Sequence, residues 1–130
     1  MRVWFLAIGV VATFVTQAVA ADDARFFRSL QKLAPIERLE QLCDYTALKK
    51  IRSDARGFRP DRAVASAGAD VKMKNDTIEA TSGAFRSRGK WYALTYSCTA
   101  APDHLQVQSF HYKIGEEIPE SKWAGFGLWN

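Results

Sequence analysis

Two histidines, two cysteines and a set of late carboxylates are the residues of this 130-residue chain whose types point to chemistry. A small hydrolase or transferase would set His104 or His111 against a carboxylate, so that one group holds or moves a proton for the other. Asp103, Glu116, Glu117 and Glu120 gather in this part of the chain, and paired carboxylates are what glycoside cleavage needs. Any chain with 14 acidic residues gathers such groups, however, and turns are where they fall. Ser82-Gly83 and Ser97-Cys98 lack the Gly-x-Ser-x-Gly elbow, although a triad need not be contiguous in sequence. No set of Cys, His and carboxylate residues has metal-ligand spacing, so neither a metal nor another cofactor is expected. Both histidines are expected as ordinary surface or strand residues.

Two other stretches suit binding. Arg86-Ser87-Arg88-Gly89-Lys90 runs directly into Trp91-Tyr92, which would set Arg86, Arg88 and Lys90 on a hairpin tip beside the Trp91 ring. Cations so placed grip phosphate, carboxylate or an acidic protein patch, with arginine offering a planar fork. The plainer expectation is a solvated turn that keeps the sheet soluble and blocks edge pairing. Near the C-terminus, Trp123, Phe126 and Trp129 would form an apolar docking patch or a stacking platform for a glycan if exposed. Core closure is the expected role, with Pro119-Glu120-Ser121-Lys122 folding the tail back over the sheet.

The start of the chain bears on the compartment. Met1-Arg2 is positive, Val3 to Val15 is free of charge, and Ala18-Val19-Ala20 puts small residues where a signal peptidase reads. Residues 1–20 are therefore expected as a cleaved export signal and residues 21–130 as one domain. An uncleaved anchor would need about 20 predominantly apolar residues, whereas Thr13, Thr16 and Gln17 interrupt the run and Asp22-Asp23 follows it. No stable membrane span is expected after cleavage. The formal net charge of +4, one unit of it from Arg2, is too mild to suggest a nucleic-acid partner. In an oxidising compartment, Cys43 and Cys98 are expected to form a disulfide rather than stay as buried thiols or act as a redox pair. Such a bridge closes a loop of about 55 residues and contributes roughly 4 kcal/mol in the chain-entropy account.

The elements that must position these residues follow from periodicity. Phe26, Leu30 and Leu33 predict a helix over residues 22–33, with Asp22 and Asp23 suited to its start. Pro35 fits the first turn of a second helix, whose apolar stripe is Ile36, Leu39, Cys43, Ala47 and Ile51. Glu37, Arg38, Glu40, Gln41, Lys49 and Lys50 take its wet positions, Gly57 ends it, and Arg59-Pro60-Asp61 is a turn. Period two then takes over, with short strands over Arg62–Ala67 and from Val71 to Met73, and a turn at Asn75-Asp76. Longer strands run from Thr77 to Arg86, Lys90 to Cys98 and Leu105 to Ile114. Tyr92, Leu94, Tyr96 and Cys98 share one face; Leu105 and Val107 are out of phase with Phe110, Tyr112 and Ile114 unless a bulge falls near Gln108-Ser109. The expected fold is α+β: two N-terminal helices on one face of an antiparallel sheet of about four strands, with Cys43 and Cys98 meeting between helix and sheet.

Several stretches together resemble the domain of unknown function 930 family. They are Arg38-Leu39-Glu40-Gln41-Leu42-Cys43-Asp44, Phe58-Arg59-Pro60-Asp61-Arg62, Gly83 to Tyr92, Pro102-Asp103-His104-Leu105, Phe110 to Gly115 and Ile118-Pro119. The resemblance runs from about Pro35 to Trp123. It implies an exported or membrane-tethered envelope protein of alphaproteobacteria, with no assigned activity and no catalytic residues to carry over.

The expected function is accordingly non-catalytic binding of an envelope protein or cell-wall component, in the periplasm of a Gram-negative bacterium or outside the cell. Arg86, Arg88, Lys90 and Trp91 are the candidate contact surface. Two alternatives stand beside it. One is a small envelope hydrolase or transferase using the late carboxylates and a histidine. The other is a proteinaceous enzyme inhibitor, presenting a loop on a disulfide-held sheet.

Overall fold

The computed structural model describes the backbone of residues 15–130 and the side chains from residue 23 onward. The positive start and most of the apolar run read as an export signal lie outside the described residues. Helix α1 (Val15–Leu30) is followed by α2 (Pro35–Asp54), strands β1 (Pro60–Val64), β2 (Lys72–Lys74), β3 (Thr77–Ser87), β4 (Lys90–Ala100) and β5 (Val107–Glu117), then a short helix α3 (Glu120–Trp123) and a 3-10 turn over Ala124–Phe126.

Helix α1 begins at Val15, before the expected start at Asp22. Asp23 therefore lies inside the helix, where it accepts hydrogen bonds from the Tyr45 hydroxyl and from Lys49 Nζ on α2. Both bonds hold its carboxyl below the usual range.

Helix α2 starts with Pro35 in its first turn and buries Leu39, Leu42, Cys43, Ala47 and Ile51. Ile36, in phase with Cys43, is nevertheless 66% exposed, since phase alone does not put a first turn inside the packed layer. Arg38 is not a wet residue either. Its guanidinium donates to the Leu30, Gln31 and Leu33 carbonyls at the end of α1, and to the Asp103 carbonyl. The Gln31 and Leu33 carbonyls lie just past the last turn of α1, and one planar fork bonds several acceptors there at once.

The sheet is antiparallel with order β1-β3-β4-β5, and β2 also pairs with β3, making five strands rather than about four. Pro60 opens β1 instead of forming a turn, a position where its missing N–H costs no ladder bond. The β3–β4 hairpin turns on Arg88 and Gly89, both at positive φ, which matches the twist of the flanking strands. Helix α2 contacts β1, β3, β4 and β5, while α1 rests mainly on α2. The core between them contains Leu39, Ile51, Ile78, Phe85, Leu94 and Tyr96. Cys43 of α2 and Cys98 of β4 are bridged at its centre, fully buried and with Cα atoms 6.0 Å apart.

Two bulges decide which side chains point where. Thr99 pairs with Ser109 but Ala100 pairs with Val107, leaving Gln108 extra and reconciling the two phases of the last strand. A second break separates Ala80–Tyr96 from Gly83–Leu94. It inverts the alternation of β3, so Ala80 belongs to the helix-side core while Ala84 faces the other way. Gly83 sits at this crossing with no room for a side chain: a Cβ there would lie 2.8 Å from the Leu94 carbonyl oxygen.

On the face opposite the helices, Ala67, Ala84, Trp91, Ile118 and Leu128 form a second, smaller core. The C-terminal segment closes it, as Trp123 and Phe126 pack on its rim. Trp123 Nε1 donates to the Ile118 carbonyl at 2.9 Å, and Trp91 Nε1 to the Trp129 carbonyl at 2.7 Å.

Candidate functional site

The hairpin tip does not present the surface expected of it. Trp91 is fully buried beneath the C-terminal segment, so its ring is not available for docking. Strand alternation from Lys90 puts Trp91 on the face away from α2, and the tail then covers that face. Arg86 forks onto Asp61, with Nε 3.0 Å from Oδ1 and Nη2 2.7 Å from Oδ2. Arg88 donates to the Gly57 carbonyl at 2.9 Å, and Lys90 lies 3.6 Å from Glu117. Each cation thus has a partner within the domain, and Arg86 and Arg88 tie the hairpin to the chain around β1.

The two histidines differ from each other. His111 is exposed on the outer sheet face, opposite Ser97, whose hydroxyl donates to Glu79 at 2.7 Å. His104 is buried, contrary to the expected surface position. Nδ1 lies 2.7 Å from the Pro35 carbonyl and Nε2 lies 2.8 Å from Asp76 Oδ1. With both nitrogens engaged, the ring offers no lone pair to a substrate. It joins the start of α2 to the β2–β3 turn. The late carboxylates are dispersed: Asp103 accepts from the Leu105 N–H, Glu117 faces Lys90, and Glu120 opens α3. Among the described residues no three metal-ligating side chains converge on a point.

Two features that periodicity did not single out flank α2. On the β5 side lies a groove of about 580 Å³. It is lined by Phe27 of α1, by Leu42, Lys49 and Lys50 of α2, with Leu42 buried, and by Leu105 and Val107. Phe27 is 39% exposed there. The groove meets the start of β5, whose outer edge is paired with no described strand. Lys113, Glu116, Glu117 and a register break between Tyr92 and Leu94 guard the far half of that edge. The near half, over Ser109–Tyr112, carries no such guard apart from the Gln108 bulge.

The second feature is a buried acid. Asp44 on α2 is 9% exposed and its Oδ1 accepts the Tyr96 hydroxyl of β4 at 2.8 Å. Burial pushes its carboxyl up to about 8, partly opposed by the Tyr96 bond and reinforced by Glu40. The same burial raises the Tyr96 hydroxyl above its ordinary range. The one sequence signal for this pair was the adjacency of Asp44 to Cys43 on a helix whose cysteine had to face the sheet.

Among the described residues, no helix is long and apolar enough to cross a membrane. A family model described as Domain of Unknown Function (DUF930) matches residues 30–128. No curated protein and no solved structure matches the chain.

Proposed function

The chain belongs to the DUF930 family, and we propose that this member is a non-catalytic module that binds an extended segment of an envelope protein along β5. The observation that carries this is the outer edge of β5, unpaired among the described residues, meeting the groove beside α2. An unpaired strand edge presents alternating N–H and C=O groups, and a polypeptide in extended conformation supplies the matching series. Alternate side chains of an added strand would enter the groove over Leu42, Leu105 and Val107, and Lys50 favours an acidic residue beside them, Lys49 being paired with Asp23. Export by residues 1–20 and a periplasmic or extracellular setting belong to the same proposal, supported by the tripartite start of the sequence.

Selection of displayed random peptides against the protein tests this. The expected binders alternate apolar residues with at least one acid, and their binding slows amide exchange within Ser109–Tyr112. Lys50→Glu and Leu105→Glu should each weaken binding at least tenfold, the first with no change in melting temperature. Peptides that protect no β5 amide, or that bind Lys50→Glu and Leu105→Glu as well as the parent, overturn the proposal.

A further inference from the structure

Positive charge is concentrated at one end of the sheet. Residues 52–62, which run from the end of α2 into β1, and residues 86–90 at the β3–β4 hairpin tip hold seven cations and two carboxylates. That excess of five is larger than the formal net charge of +4 on the whole chain, so the remainder is slightly acidic. We infer that this pole docks the domain onto an anionic lipid surface, with arginines on the phosphates and Trp129 in the headgroup layer.

The two segments form one surface. Arg88 Nη1 donates to the Gly57 carbonyl at 2.9 Å, and the Arg59 backbone N–H donates to Ser87 Oγ at 2.8 Å. Between them Phe58 packs edge-on against Phe85 and Tyr92, with centroids 5.2 and 5.0 Å away. The loop is thereby bolted to the hairpin while Arg56, Gly57 and Arg59 stay exposed.

Part of the charge is spent inside the domain. Arg86 forks onto Asp61, which also feels Arg62. Glu116 and Glu117 end β5, and Glu117 faces Lys90 at 3.6 Å. With these two acids counted, an excess of three remains. Asp54 accepts the Tyr112 hydroxyl and meets no cation. Arg52 and Arg88 bond neutral carbonyls, those of Pro60 and Gly57, so their charge is uncompensated and most of their five N–H donors are unused. Among the described residues no acceptor meets the Arg56 or the Arg59 guanidinium.

Four such arginines on one pole repel one another, and a surface of opposite sign relieves that repulsion. Guanidinium forks match phosphate oxygens. The four are spread over a helix end, a loop and a hairpin tip, which suits the many phosphates of a flat surface better than one ion. Trp129 supplies the second part of the argument. It is 46% exposed, and its ring lies 5.4 Å from that of Trp91, which pairs with Arg86 across the hairpin. An exposed tryptophan beside arginines suits the membrane interface, where the ring sits at headgroup level.

Co-sedimentation of the full chain with vesicles tests this, using phosphatidylcholine alone and phosphatidylcholine mixed with phosphatidylglycerol. Every variant keeps the same N-terminal apolar run, so any binding through it cancels in the comparison. The parent should prefer the anionic vesicles, and added sodium chloride should weaken its binding. Each arginine near such a surface is worth about fivefold in partitioning, so Arg56→Gln with Arg59→Gln should lower it at least about tenfold. The melting temperature should not change, since neither guanidinium bonds the domain. Lys32→Gln, at the opposite end of α2, should partition like the parent, and Trp129→Ala should partition less. Equal binding to the two vesicle types overturns the inference, as does parent-like partitioning of the double arginine variant or of Trp129→Ala. An equal loss in Lys32→Gln would show a diffuse net-charge effect and overturn it too. Release by inorganic phosphate, but not by chloride of the same ionic strength, would assign a free-phosphate site in place of the lipid surface.

Discussion

The Tyr96 hydroxyl donates to the Asp44 carboxyl at 2.8 Å, one residue from Cys43 on α2 and two residues from Cys98 on β4. The covalent link and the polar link between helix and sheet are therefore neighbours in the same buried layer. The disulfide fixes the rotation of α2 that points Asp44 inward. The Tyr96 hydroxyl then meets one oxygen of a group whose burial would otherwise be unsupported.

Stability should fall with rising pH because of Asp44. Its ordinary value is 3.8 and burial raises it to about 8. Between these values the folded chain holds a proton that the unfolded chain has released, so folding weakens as pH increases through the window. For this group stability is greatest below the window and fully diminished above it. Asp44→Asn should match the parent near pH 4 and exceed it progressively toward pH 8, by up to about 1.4 kcal/mol per pH unit. Urea unfolding at several pH values reads this directly, and parallel curves for the two proteins would refute it.

Loss of the Cys43–Cys98 bridge should cost about 2–5 kcal/mol. The double variant Cys43→Ser, Cys98→Ser should retain the same far-ultraviolet circular dichroism at low temperature but unfold at lower urea. Intact mass under non-reducing conditions checks the bond itself: two alkylatable thiols in the native protein would contradict it.

Trp91 should matter to stability far more than the cations beside it. Trp91→Ala removes the largest side chain of the second core and the donor to the Trp129 carbonyl, and should cost about 3–5 kcal/mol. Arg88→Ala and Lys90→Ala remove exposed, solvent-screened contacts and should each change stability by less than about 1 kcal/mol. Limited proteolysis should cut the C-terminal segment after Ile118 sooner in Trp91→Ala. Equal cutting rates in that variant and the parent would show that Trp91 does not hold the tail.

His104 and Asp76 should behave as a coupled structural pair. His104→Ala strands the Pro35 carbonyl and Asp76, and should cost about 1–3 kcal/mol. Asp76→Ala should cost a similar amount, and the double variant less than the sum of the two. A double-mutant cycle by urea unfolding measures the coupling, and strict additivity would remove the proposed link. Because His104 has φ +57°, His104→Asn is the gentler probe of side chain over backbone.

Much of the fold was legible in the order of residues. The stripe from Leu39 to Ile51 marks α2, and Tyr92, Leu94, Tyr96 and Cys98 mark the inner face of β4. Those two periodicities aim Cys43 and Cys98 at one layer. The phase change between Val107 and Phe110 foretells the bulge at Gln108. Such signals are local, because burial on one face imposes its period on the chain wherever an element is regular.

The candidate sites were not legible in the same way. Trp91 reads as the exposed neighbour of a charged turn, yet a segment some 30 residues later buries it. Asp44 reads as a polar residue on a helix, and only the rotation of α2 over β4 gives it Tyr96 and a raised affinity for its proton. His104 reads as a turn residue until Pro35 and Asp76 are brought to its two nitrogens. The groove beside α2 arises between elements, so no single stretch encodes it. Period, charge and turn chemistry act within a few residues of chain and determine the elements. What covers a ring, or faces a carboxyl, depends on contacts between distant residues, and only the folded arrangement decides them.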